Sequence, residues 1–505
     1  MGFAERVPDW ESRIPLSNYS MKLIPRDEVE FHPHSFGDPQ VRLFHWRGEI
    51  YRGVSSQYAP FYRRLFEGKI IDHAVNKGLL IDSELTQFVV DGYELVVHHR
   101  QVVFPSYPNE WCAAMLREAA LTTVDLAWEL GRDGLTLGDA HPWNLLFDVE
   151  RRKPVFVDLG SIVPIVDFTW SAYEEFCRFS FYPLLLMSHG EDQLARLLMC
   201  EDKGVLGSDI LKLRGLSLRF LLSRYRSSLQ RAESVFARRV PDSYRHWLRQ
   251  KLTSVQTSAF KDSAASGLPG NPSKDLRHRF HRRFLEKIRR EVERVSVPLP
   301  EMTRPEGGSF PISAQADWTG KQRCVHRLLT ELRPATLIDI SCGAGWYAKL
   351  AASLGSRVVC WDANPMRVTR LYRDACHMKL PILPLIMDFT KPTTARGLAN
   401  HWSIAAIDRF RCDMVLALGV LHHIVCERRL NFEQITDGLA SLAKRWVLVE
   451  FISSEDVEMK PIWSSRISWY SRDNFLNSLQ KRFCNIQLLD SDQDTRTLLF
   501  CEKQL

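Results

Sequence analysis

Several things are scarce or missing from this 505-residue sequence. Its eleven cysteines include no CxxC pair, and an odd number at irregular spacing argues against a disulfide framework or a structural zinc site. No metal is therefore expected. Charge of one sign is not in large excess: Lys+Arg 67 against Asp+Glu 60 gives +7, mild for this length and no nucleic-acid signature. Long apolar runs are missing too. The most apolar short run, Phe181-Tyr182-Pro183-Leu184-Leu185-Leu186-Met187, is far too short to span a bilayer. The opening stretch MGFAERVPDWESRIP has no apolar core of the kind a signal peptide needs, so a cytoplasmic chain is expected. No internal repeat is visible.

What is present is an ordinary globular composition, 45% hydrophobic and 25% charged, with 14 Trp and 27 Phe to bury. The length predicts two or three domains. Residues 1–40 are rich in proline and charge and read as an extended lead-in. Alternating runs at Val41–Tyr51 and Tyr93–Phe104 flank a helical stretch near Tyr62–Leu79. Trp111–Leu130 has helical spacing with Gly131 as its stop. Short strands are expected at Asn144–Phe147 and Pro154–Leu159, around a turn at Arg151-Arg152-Lys153. From Trp170 to about Glu293 the pattern is mostly helical, broken at Gly190, Gly204 and the Gly267–Pro272 segment. Much of the net positive charge can be traced to this middle region, notably Arg277 to Arg290. A basic face there can attract a polyanion or a membrane surface, and a solvated helix face accounts for it equally, so peripheral membrane contact stays open. Residues 296–316, with Val-Pro-Leu-Pro and Pro-Glu-Gly-Gly, mark the clearest domain boundary.

Beyond that boundary the rhythm changes. After a helix at Trp318–Leu332, strand-like segments at Thr336–Ile340, Val358–Trp361, Ile382–Met387, Met414–Leu418 and Trp446–Phe451 alternate with helical ones. That alternation predicts a parallel α/β sheet, with Asn485–Leu489 and Thr495–Phe500 as an antiparallel pair closing it. The first strand runs into Leu337-Ile338-Asp339-Ile340-Ser341-Cys342-Gly343-Ala344-Gly345, small residues that let backbone approach a ligand beside a helix N-terminus. The second strand ends at Asp362, where a carboxylate can accept both ribose hydroxyls of an adenosine. The third leads into Met387-Asp388, where a carboxylate can meet an adenine amine. The fourth leads into Gly419-Val420-Leu421-His422-His423. Ala348 stands where a dinucleotide fingerprint often has its third glycine, a tolerated exchange, so the glycines alone do not choose the cofactor. A carboxylate at Asp339 can orient the positive ammonium of a methionine moiety.

This ordered set, over residues 335–500, resembles class I S-adenosylmethionine-dependent methyltransferases. The resemblance implies a Rossmann-like α/β domain over 317–505, binding S-adenosylmethionine through Asp339, Ser341, Gly343, Gly345, Asp362, Asp388 and Gly419. Methyl transfer is an in-line displacement in which orientation and desolvation contribute heavily. A base is needed only for an acceptor that arrives protonated. His422, His423 and Glu450 are the candidates, and Trp469 and Tyr470 either line an acceptor pocket or simply pack. The expected acceptor is a small molecule, a saccharide or a glycolipid, with no nucleic acid expected.

Residues 41–295 read as an α+β region, largely helical after 170. Leu137-Gly138-Asp139-Ala140-His141-Pro142-Trp143-Asn144 and Val155-Phe156-Val157-Asp158-Leu159-Gly160 resemble the catalytic loop and metal-binding segment of aminoglycoside-phosphotransferase-like kinases. On that resemblance Asp139 is the base, and Asn144 and Asp158 are the metal ligands. The upstream Gly-x-Gly-x-x-Gly loop and strand lysine of such kinases are missing. An active phosphotransferase, a degenerate kinase-like acceptor domain and an unrelated scaffold all stay open. The whole arrangement is similar to large bacterial methyltransferases that carry such an N-terminal region. A non-catalytic binding protein that keeps the nucleotide-site geometry is a further reading.

Overall fold

The computed structural model describes residues 21–32, 35, 40–212, 274–297 and 315–503. The expected break at Gly267–Pro272 and most of the 296–316 boundary lie outside them. The chain divides into two compact units, one of residues 1–71 with 82–101 and one of 72–81 with 102–505.

In the first unit, five strands form an antiparallel sheet: β2 (Glu30–Phe31), β3 (Val41–Trp46), β4 (Glu49–Val54), β5 (Ser83–Leu85) and β7 (Leu95–His99), in the order β2-β3-β4-β7-β5. β1 (Lys22–Ile24) pairs in parallel with β6 (Phe88–Val90). The Val41–Tyr51 run is thus two strands of one hairpin, not a single strand. They turn at Arg47-Gly48, both at positive φ, the backbone of a two-residue hairpin turn. The usual Asn-Gly signal is missing there, which hides the turn in the sequence. Phe44, Trp46, Tyr51, Tyr93 and Val96 form the core beside this sheet.

In the second unit the helix Ala113–Leu130 is buried along most of its length, because its Ala, Leu, Met and Val residues leave little polar face. Two short antiparallel pairs follow: β8 (Leu135–Leu137) with β11 (Ile162–Pro164), and β9 (Leu145–Asp148) with β10 (Lys153–Phe156). Short helices between Tyr173 and Lys212 break at Gly190 and Gly204, both at positive φ.

The C-terminal part carries, among the described residues, a seven-stranded sheet. Its strands are β12 (Thr336–Asp339), β13 (Arg357–Asp362), β14 (Ile382–Ile386), β15 (Cys412–Ala417), β16 (Ala443–Ile452), β17 (Phe483–Asp490) and β18 (Arg496–Lys503). The order is β14-β13-β12-β15-β16-β18-β17. The first five are parallel, and β18 runs antiparallel between β16 and β17. Strands covered on both faces read as continuous apolar runs, which is why Thr336–Asp339 and Ile382–Ile386 are buried at every residue. The order reverses at β12, between β13 and β15, and the carboxyl ends of these strands open the crevice where ligands of such folds bind.

Candidate active site

Asp339 closes β12 with its carboxyl group buried. Its nearest donor is the Ser341 N–H at 3.4 Å, a long bond. Burial pushes its pKa up to about 7, with Asp362 adding to the rise, while the Ser341 N–H and the Lys321 ammonium oppose it. The following turn needs glycine at two places. Gly343 has φ +51° with open space where a Cβ would sit, and Gly345 has φ +74° with Leu371 Cδ1 only 2.4 Å from that point. Gly345 thus seats the helix Trp346–Ser353, and Gly343 leaves its cradle bare.

Asp362 ends β13. Its Oδ2 accepts from Gly343 N–H at 3.2 Å, and its Oδ1 from Asn364 N–H at 2.8 Å. The first and second strand tips are therefore tied by one carboxylate. Asn364 in turn caps the helix Pro365–Met378. Asp388, beyond β14, accepts from the Thr390 N–H and hydroxyl at 2.8 and 2.7 Å and pairs with Arg428 at 3.0 Å. Gly419, at φ +67°, follows β15.

The two histidines on the helix Leu421–Cys426 part company. His423 is exposed and meets Glu427 at 2.9 Å. His422 is fully buried, and neither ring nitrogen has a hydrogen-bond partner. Its Nε2 lies 3.7 Å from Glu458 Oε2, beyond hydrogen-bond reach. Burial, with His423 beside it, pulls its pKa down to about 4, so the ring is neutral at neutral pH.

Glu450 lies near the end of β16 and is fully buried. Its carboxylate accepts from Lys321 Nζ at 2.6 Å and Ser491 Oγ at 3.2 Å. A Cβ at Gly419 would lie 3.9 Å from Glu450 Oε2, so the pair borders the fourth strand tip. Sequence reasoning missed Lys321. A signal existed: the lysine sits in the first turn of the helix Gly320–Leu332, just after the Thr319 cap, where the helix dipole disfavours a cation. Lys321 also lies 5.5 Å from the Tyr347 ring. Tyr470 packs: its hydroxyl donates to Ile452 O at 2.9 Å and its ring stacks on Phe451 at 5.0 Å. Trp469 meets Phe432 edge-on.

The residues resembling a kinase loop gather separately. Asp139 accepts from His141 N–H at 2.8 Å, and Glu175 from Ala140 N–H at 2.9 Å. Burial and the neighbouring Asp139 push Glu175 up to about 7. Asp158 accepts from the Ser161 hydroxyl at 2.6 Å, and Asn144 reaches the same hydroxyl at 3.5 Å. Among the described residues no group of three or more His, Cys, Asp or Glu side chains is arranged to hold a metal ion.

The strand order and the tied glycine turn define a Rossmann-like α/β fold. In sequence, the chain is similar to the nodulation protein NoeA of Rhizobium meliloti (strain 1021), 26% identical over 467 residues, 89% of this chain and 91% of that protein. No family model matches. Among solved structures it is similar to the magnesium protoporphyrin IX methyltransferase of Synechocystis PCC 6803 with bound SAH, at 15% identity, covering 36% of this chain and 81% of that one with a TM-score of 0.26. It is also similar to the N-methyltransferase NodS of Bradyrhizobium japonicum WM9, at 14% identity, covering 36% and 95% with a TM-score of 0.27. No helix among the described residues is long and apolar enough to cross a membrane.

Proposed function

We infer that this chain is an S-adenosylmethionine-dependent methyltransferase acting on a small-molecule, saccharide or glycolipid acceptor, with a role in host-specific nodulation. The observation that carries this reading is the joining of Gly343 and Asp362 by a hydrogen bond at the carboxyl ends of β12 and β13, with buried Asp339 beside them. In this reading Asp362 takes the ribose hydroxyls, Asp388 faces the adenine amine and Asp339 balances the ammonium group. The bare backbone at Gly343, Gly345 and Gly419, with Ser341, admits the cofactor closely. The cofactor supplies an electrophilic methyl group on a sulfonium. For an acceptor that arrives protonated, His422 is the candidate base, and the bound acceptor must offset the burial that holds its pKa near 4 before the ring can keep a proton. Glu450, bound to Lys321, acts as a positioning residue, and His423 serves at the rim.

The test is titration of the purified chain with S-adenosylmethionine, S-adenosylhomocysteine, and ATP with Mg²⁺. Asp362→Ala should abolish binding of both methyl-donor forms, and Asp139→Ala should leave it intact. Clear ATP binding with neither methyl-donor form bound would overturn the reading. A phosphotransferase is the second reading, supported by the convergence of Asn144 and Asp158 on Ser161. Equal loss in both variants would refute the division into two sites.

A further inference from the structure

The helix Lys274–Glu293 has two unlike faces. One is pinned inward: Leu285, Ile288 and Val292 are buried, His281 bonds the Thr136 hydroxyl at 3.0 Å, and Arg289 pairs with Asp125 at 2.6 Å. The opposite face carries Arg279, Arg283, Lys287 and Arg290, all exposed. Their spacings of four, four and three residues set them in one stripe along a 3.6-residue helix. No acidic side chain among the described residues pairs with any of the four. The helix's exposed acids, Asp275, Glu286 and Glu293, fall to one side of the stripe. On its other side Phe280 is 41% exposed and meets the Phe168 ring at 6.0 Å, and Val166, two residues before Phe168, is 66% exposed.

Unpaired cations in a row beside exposed apolar side chains need a surface that offers negative charge and a place for the apolar groups to enter. A folded acidic partner or a nucleic acid satisfies the charges, but it leaves Val166 and Phe280 to find specific pockets or stacking partners. A lipid interface satisfies both without specific pockets. We propose that this face docks the protein on an anionic membrane surface, with the stripe against lipid headgroups and Phe280 and Val166 entering the interface. The proposal does not depend on the methyltransferase reading, because it uses none of the residues of that site.

Cosedimentation of the full chain with phosphatidylcholine vesicles, with and without phosphatidylglycerol, tests it. Binding should appear only with phosphatidylglycerol and should fall as salt shortens the Debye length. The triple variant Arg279→Glu/Arg283→Glu/Lys287→Glu should lower the partition coefficient by roughly tenfold or more. Phe280→Ser keeps every charge and should still weaken binding, which a purely electrostatic polyanion site would not show. An unchanged melting temperature identifies the variants as folded, and Lys287→Glu alone gives a milder version of the same loss. Unchanged binding by the triple variant, or equal binding to neutral vesicles, overturns the proposal. So does retention of a short DNA duplex through the stripe without vesicle binding, which would assign the face to nucleic acid.

Discussion

Asp339 is a carboxyl group with little to hold its charge. A single long N–H contact and a nearby ammonium do not offset its burial, and its pKa rises from 3.8 to about 7. The folded chain therefore binds this proton more tightly than the unfolded chain does. The resulting stability is complete below about 3.8 and is lost as pH climbs through about 7. Asp339→Asn should remove that loss, so the variant should melt higher than the parent above pH 7 and much like it near pH 4. A bound ammonium would pull the pKa back down, so methyl-donor binding below neutrality should release a proton. Calorimetric titration in buffers of different ionisation enthalpy reads that release directly, and buffer-independent heats would contradict it. His422 shows how environment separates two adjacent and identical residues. The sequence pair His422-His423 offers no way to rank them, and only packing leaves one ring buried and unpartnered while the other meets Glu427 in solvent.

At the scale of elements, the turn between β12 and the helix Trp346–Ser353 has two glycines with different duties. Gly345→Ala must hold a left-handed backbone and also push Leu371 aside, so it should cost about 1–3 kcal/mol of stability in denaturant melts. Gly343→Ala meets no neighbour and should cost about 1–2 kcal/mol, the backbone term alone, with a larger effect on methyl-donor affinity. Equal stability losses in the two would remove the packing argument. The parallel strands were legible in the sequence because burial on both faces leaves unbroken apolar runs such as Ile382–Ile386. The closing strands β17 and β18 extend beyond the segments read for them, at Phe483-Cys484 and Asp490 and at Cys501–Lys503, where polar Asp490, Glu502 and Lys503 interrupt the apolar run. The hairpin of β3 and β4 was not legible, because Arg47 occupies a left-handed turn position that arginine seldom takes. Lys321 escaped because its partner, Glu450, stands well over a hundred residues away in sequence, and motif spacing carries no information about such pairs.

Within the second compact unit, Arg409 and Glu110 form a fully buried ion pair, with Arg409 Nη1 at 3.1 Å from Glu110 Oε2. Around it Tyr107 Oη accepts from the Ile404 N–H at 3.0 Å, and Phe410 lies between Phe104 and Trp361. Arg409→Met strands a buried carboxylate and should cost about 3–5 kcal/mol in chemical denaturation. Adding Glu110→Gln should recover part of that, and no recovery would mean the pair is incidental to the packing there. The boundary expected from sequence near residues 296–316 invites the idea of a portable module that begins afterwards, whereas residues 102–505 belong to one compact unit. Such a fragment would carry Arg409 without its carboxylate and would bare one face of Phe410. The residues around 104–111 thus complete the downstream fold, and replacing them means rebuilding the packing of Phe410 against Trp361 of β13.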